Sequence, residues 1–278
     1  MALTLLSCTK NDAPADPQNV PPGMIRGIWF NNACWSMSQL CYDSVSLYYV
    51  ANRVDSMVSE RMGDKYKFTY NNNGQIIVRK RHIVAQLSVA DFNMVIDSFI
   101  YNGDKLIANY QYRVDKVTGQ SRFHFGFKVD VDPANGHITK VYEGVAWPGT
   151  GEKHWIDKYT AINYTGENIT NVTGYYTNEY YNAVYSNLRM PKYLKDNFVQ
   201  LLPMLFNQAT GANGIDNYLF FIYSDQVPSK LSSFSATHNF NPAVFPNCPE
   251  KIKVDGTINV WDPTTVYKWL EVYVDGCQ

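Results

Sequence analysis

Apolar and polar residues alternate along Lys65–Ile83, KYKFTYNNNGQIIVRKRHI, on both sides of a turn made of three Asn and a Gly. Tyr66, Phe68 and Tyr70 fall on one face of a strand, because side chains two apart point the same way. Asn73-Gly74 supplies residues that tolerate positive φ, which a tight hairpin needs. Ile76 and Val78 then start a return strand. The same unit recurs: an aromatic or apolar strand end, a turn, an apolar restart. The copies are Tyr49 to Val54, Tyr101 to Leu106 across Asn102-Gly103, Val131 to Ile138 across Asn135-Gly136, and Tyr164 to Ile169 across Thr165-Gly166. Their spacing is irregular, so the repeat predicts a degenerate meander and not a strict solenoid.

The fold expected is all-β: a large curved antiparallel meander, as an open sheet or barrel-like, with Gly74, Gly103, Gly136 and Gly166 at tight turns. One helix is expected to interrupt it, at Met190–Phe206. Leu194, Phe198, Leu201 and Leu205 form a stripe at helical spacing there, Pro191 suits the first turn and Pro203 ends or kinks it. Val84–Asp97 reads as a bent strand, Tyr175–Tyr185 as a strand pair and Asn239–Pro249 as a Pro-rich loop. Lys251–Trp261 and Val266–Val274 close the sheet.

Composition supports strands. Among 278 residues, 15% are aromatic, including 21 Tyr, and 18% are charged. Aromatic side chains pack well across a pleated surface. A formal net charge of −1 gives no bulk electrostatic footprint for nucleic acid. No apolar run approaches the roughly 20 residues a spanning helix needs.

The N-terminal pattern predicts an address. Met1–Cys8, MALTLLSC, ends in Leu5-Leu6-Ser7-Cys8, which resembles a bacterial lipobox and makes Cys8 the expected site of lipid attachment. A basic n-region and a long apolar core, which a signal peptide carries, are missing from these eight residues. Residues 9–23, TKNDAPADPQNVPPG, form an expected flexible tether. Cys8-Thr9-Lys10-Asn11-Asp12 resembles the starts of Bacteroidota lipoproteins, with fewer acidic residues than their surface-export signal. Residues 24–278 are expected to form one β-rich domain. Cys34, Cys41, Cys248 and Cys277 remain, an even number that suits disulfides in an exported protein. Pairing Cys34 with Cys41 and Cys248 with Cys277 is one of three connectivities, and free thiols are equally compatible.

Candidate chemistry is sparse. No nucleophile elbow, zincin or P-loop pattern occurs, and nothing calls for a metal or cofactor. Asp130–Gly136, DVDPANG, has acidic residues two apart, but its Gly falls late and no Glu closes a calcium loop, so it reads as a hairpin turn. Glu143, Glu152, Asp157 and Glu167 include the carboxylates from which a glycosidase pair could be drawn. Trp29, Trp35, Trp147, Trp155, Trp261 and Trp269 are core residues or sugar-stacking surfaces.

Taken together, the lipobox Cys, the tether, the Y-x-(N/G)-x-x-L hairpins and the MPKYLKDNFVQLLPML segment resemble a family of Bacteroidota lipoproteins of unknown function with a porin-like fold. The hairpins also resemble the YD repeats of Rhs shell proteins, although the Tyr-Asp dipeptide is absent. The resemblance implies a curved antiparallel sheet and an envelope location, and it carries over no catalytic residue. The function expected is that of a non-enzymatic outer-membrane lipoprotein, periplasmic or surface-facing, that binds a glycan or an envelope partner protein. An envelope glycan hydrolase is the alternative. An exposed aromatic platform without convergent carboxylates separates the first from the second.

Overall fold

The computed structural model describes residues 25–33, 40–50, 53–59, 63–84, 91–146, 151–173, 180–189, 223–232, 236–245, 248–258 and 266–274. They form sixteen strands: β1 Ile25–Ala33, β2 Leu40–Val50, β3 Arg53–Ser59, β4 Lys65–Tyr70, β5 Ile76–His82, β6 Phe92–Asn102, β7 Lys105–Asp115, β8 Ser121–Val131, β9 Ile138–Ala146, β10 Lys153–Thr165, β11 Asn168–Thr173, β12 Tyr180–Arg189, β13 Gln226–Ser232, β14 Ala236–Phe245, β15 Cys248–Ile258 and β16 Val266–Val274. Each strand pairs antiparallel with its neighbours in sequence, and β1 also pairs with β16, closing the sheet into a barrel.

The five hairpins read from the sequence share one register. Tyr49 pairs with Val54, Tyr70 with Ile76, Tyr101 with Leu106, Val131 with Ile138 and Tyr164 with Ile169. In every case the pairing then slips by one, leaving Asp55, Ile77, Ile107, Thr139 or Thr170 as a bulge. The glycines expected at the turns have φ of 81° at Gly74, 62° at Gly103, 71° at Gly136 and 57° at Gly166. At Gly103 and Gly166 no heavy atom lies within 4 Å of where a Cβ would stand. Glycine is there for its backbone conformation alone, which a Cβ would strain.

A bulge shifts the face count by one, so the return strands point inward at the restart and again three residues later. These positions are Val54 and Met57, Ile76 and Arg79, Leu106 and Asn109, Ile138 and Val141, Ile169 and Val172. All ten are buried. The same register slip recurs in the β12–β13 and β14–β15 pairs, where Tyr185 pairs with Pro228 and Val244 with Pro249 and the slip falls at Ser229 and Glu250. The barrel is thus eight hairpin units, the eighth being the β16–β1 pair, which has no turn.

The tyrosines that end the strands tie each unit to the one before it. The Tyr70 hydroxyl donates to the Val54 carbonyl at 2.7 Å, Tyr101 to Ile76 at 2.9 Å and Tyr185 to Ile169 at 2.6 Å, and Tyr164 hydrogen-bonds the Ile138 backbone. Each partner is the restart residue of the preceding hairpin. One rung is broken in sequence, because Val131 stands where a Tyr would serve Leu106. Tyr223, from the connection before β13, fills it, donating to the Leu106 carbonyl at 2.6 Å. Burial pushes the hydroxyls of Tyr164, Tyr185 and Tyr223 above the usual tyrosine range.

The inward face is mainly apolar, with Phe99, Phe125, Phe127 and Ile162 among the restart residues. Two ion pairs are buried in it, Arg79–Asp97 at 2.8 Å and Arg81–Asp64 at 2.5 Å. The outward face carries exposed lysines well inside the strands: Lys67 on β4, Lys80 on β5 and Lys128 on β8. A lipid-facing barrel wall has the opposite arrangement, an apolar outer band about 25 Å tall around a polar interior. At these positions on β4, β5 and β8 the outward face carries charge where a lipid-facing wall carries apolar residues.

Asn239–Pro249 is not a loop but belongs to β14 and β15. Pro242 pairs with Ile252 of β15 and lies beyond the Thr237–Asn239 stretch that pairs with β13, so on the β13 side of β14 its missing N–H interrupts no ladder. Of Val84–Asp97, β6 covers Phe92 onward and residues 85–90 lie outside the described residues; of Tyr175–Tyr185, the part from Tyr180 lies in β12, which pairs with β11 and β13, and residues 175–179 lie outside them. The Met190–Phe206 helix, Cys8, the tether, Cys34 and Cys277 lie outside the described residues. Cys41 falls in β2 and Cys248 in β15.

Candidate functional site

Cross-strand register assembles an aromatic surface on the outward face of β7–β10. Tyr110 stands beside Gly126, Gly126 beside Gly144 and Gly144 beside Trp155. A Cβ on Gly144 would come within 2.8 Å of the Trp155 ring, so the glycine lets the indole lie against the sheet. Tyr110 meets that indole edge-on, with centroids 6.0 Å apart at 72°. One row along, Lys128 pairs with Tyr142 and Tyr142 with Tyr159, their two rings 5.7 Å apart. Tyr142 donates to Asp130 at 2.8 Å, a hydrogen bond that raises its own pKa.

Three ammonium groups sit over these rings. Lys128 Nζ is 5.0 Å from the Trp155 centroid and 5.4 Å from Tyr142. Lys153 Nζ is 4.7 Å from Tyr110 and 5.7 Å from Trp155, and Lys140 Nζ is 4.6 Å from Tyr159. Each contact contributes roughly 0.5–1 kcal/mol at an exposed site. The ion pairs among the described residues involve none of these three lysines.

A second concavity opens at the rim between the β8–β9 and β10–β11 turns, with a volume of about 510 Å³. His137 stacks on Tyr164, centroids 4.2 Å apart at 16°, and its Nε2 lies 3.2 Å from Glu167 Oε2. Asp132 also lines the cleft, but its Oδ1 accepts the Ala134 N–H at 2.9 Å. Asn135 Oδ1 accepts the His137 N–H at 2.8 Å, and Lys105 reaches over to the Gly136 carbonyl. The Asp130–Gly136 stretch is therefore a hairpin turn, as its sequence predicts.

The carboxylates proposed for hydrolysis are dispersed. Glu143 pairs with Phe127 on the inward row, where burial raises its pKa. Glu152 and Asp157 are exposed beside and within β10, and Glu167 alone of the four lines the rim cleft. Of the six tryptophans, Trp155 reaches the platform. Trp29 and Trp269 belong to β1 and β16, and Trp35, Trp147 and Trp261 lie outside the described residues.

Sequence reasoning missed Tyr110, Tyr142, Tyr159 and the lysines as one site. They are spread over fifty residues and meet only once strand register is known. The local signal was the pair of glycines at outward strand positions, Gly126 and Gly144, where a neighbouring ring can cover the bare backbone.

No family model matches the sequence, and no curated protein matches it. Among solved structures, the chain is similar to a porin-like protein from Bacteroides uniformis ATCC 8492, with a TM-score of 0.39 and 10% identity over 93% of this chain and 98% of that one. It is also similar to a porin-like protein from Bacteroides vulgatus ATCC 8482, with a TM-score of 0.39 and 11% identity over 89% of this chain and 97% of that one. These neighbours are porin-like, as the sequence resemblance implied. At such identity and TM-score the likeness supports no conclusion about function, and no family match adds the lipoprotein assignment.

Proposed function

We propose that the protein is a non-enzymatic binding protein of the cell envelope, anchored through Cys8, whose β7–β10 platform takes a glycan. The observation that supports binding is the array of Tyr110, Tyr142, Trp155 and Tyr159 on β7, β9 and β10, half-buried except for the exposed Tyr159 and without a facing carboxylate pair. Aromatic faces carry negative electrostatic potential, which favours the C–H faces of sugar rings. Screening the full chain against a glycan array is expected to yield ligands, and Trp155→Ala is expected to weaken them at least about tenfold, equivalent to about 1.4 kcal/mol. Undiminished affinity in Trp155→Ala rules the platform out. Glu167 and Asp132 in the rim cleft support the second reading, hydrolysis. Release of reducing ends by the wild type, lost in Glu167→Gln, would establish it.

The anchoring rests on Leu5–Cys8. In the native host, Cys8→Ser is expected to move the protein from the membrane fraction to the soluble one, since an acyl chain supplies about 0.8 kcal/mol per buried CH₂. Unchanged fractionation removes the anchor from the reading.

A further inference from the structure

We infer that the ligand of the β7–β10 platform is an acidic polysaccharide, one bearing carboxylate or sulfate groups along its chain; this rests on the glycan reading. Lys128 and Lys153 both hold their ammonium groups within 6 Å of the same indole, and Lys140 stands next to them over Tyr159. Like charges gathered on one sheet face repel, and the described residues give these lysines no carboxylate partner. Asp130 stands directly across the ladder from Lys140. It instead accepts the Tyr142 hydroxyl. With a formal net charge of −1 for the whole chain, the positive charge is a local feature of this face and not a bulk property.

The arrangement fits a charged sugar chain better than a neutral one. Lys128 and Lys153 lie on β8 and β10, with β9 between them, and their ammonium groups stand 5.0 and 5.7 Å from the same indole centroid. The Trp155 ring lies in the gap with one face on Gly144. A sugar ring over the indole would place acidic groups toward the flanking ammoniums. Lysine acts as a point charge that accepts a carboxylate or sulfate from several directions, without the fixed fork geometry of arginine.

The test measures binding of the full chain to polygalacturonate, to its fully methyl-esterified form, to chondroitin sulfate and to polyglutamate, at low and high salt. The acidic polysaccharides are expected to bind at least tenfold more tightly than the esterified one, and to weaken as salt screens the lysines. Lys128→Gln/Lys153→Gln is expected to lose at least tenfold toward the acidic polymers while keeping a native circular-dichroism spectrum and a cooperative unfolding transition. Equal affinity for polygalacturonate and its ester overturns the inference while leaving the glycan reading intact. Equal affinity for polyglutamate shows that charge alone is read and overturns it too. Undiminished binding by the double variant places the site elsewhere. Failure of every glycan, acidic or neutral, removes both the inference and the reading beneath it.

Discussion

Asp97→Ala is expected to destabilise the barrel by about 3–5 kcal/mol, the range for breaking a buried ion pair from one side. Arg79 and Asp97 have side chains only 2% and 1% exposed. Arg79 donates to Asp97 Oδ2 from Nε at 2.9 Å, and Gln111 donates to Oδ1 at 2.9 Å. Arg79 also lies 5.9 Å over the Phe99 ring. Removing the carboxylate leaves a guanidinium and an amide in an apolar wall with their main acceptor gone, and the cost is that of an uncompensated buried charge. Replacing Arg79, Asp97 and Gln111 together with Met, Leu and Leu is expected to fall near neutral or to stabilise, because the desolvation penalty disappears with the charges. Urea unfolding of both variants decides it. If Asp97→Ala loses less than about 1 kcal/mol, Arg79 finds another partner or water and the wall is looser than described.

Tyr223→Ala is expected to cost about 3–5 kcal/mol, as for deletion of a buried aromatic side chain. Tyr223→Phe keeps the ring and isolates the hydroxyl. It is expected to cost about 1–3 kcal/mol, the penalty for leaving the Leu106 carbonyl unsatisfied. The ladder makes a sharper claim than either loss. Val131 occupies the position from which Tyr70, Tyr101, Tyr164 and Tyr185 reach back to the preceding unit. Val131→Tyr alone should destabilise, because two rings would compete for one space. In the Tyr223→Ala background, where the space is free, it should restore part of the lost stability by supplying the missing ring and donor. A double variant no more stable than Tyr223→Ala would show that the rung at Leu106 is not equivalent to the others.

The meander was legible because each hairpin is local. Strand end, turn and restart sit within eight residues, and φ at Gly74, Gly103, Gly136 and Gly166 follows from what those turns require. The bulge after each restart was not legible. Strict alternation predicts Ile76 and Val78 on one face, whereas the slip at Ile77 puts Ile76 and Arg79 there. A buried arginine three residues after a buried isoleucine reads as noise under a period of two. The sixth hairpin was hidden by distance, since Tyr185 and Pro228 are far apart in sequence yet pair in the common register. The seventh was hidden by Pro249 at the restart, a residue that ordinarily signals a loop. The platform escaped notice because a near-zero net charge conceals three neighbouring lysines, and because Gly126 and Gly144 become informative only when paired.

Closure of the barrel has a kinetic side. Most strands find their partners across a short turn, but Ile28 meets Val272 across most of the chain. Loop-closure entropy grows with the logarithm of the separation, so the seam costs about 3 kcal/mol more to bring together than a five-residue hairpin does. Assembly should therefore proceed as a ribbon of nascent hairpins that curls early and zips last, with β1 and β16 waiting as open edges. Such edges can pair with a neighbouring chain as readily as with each other, so crowding of partly folded molecules favours strand exchange at this seam over any other place in the wall.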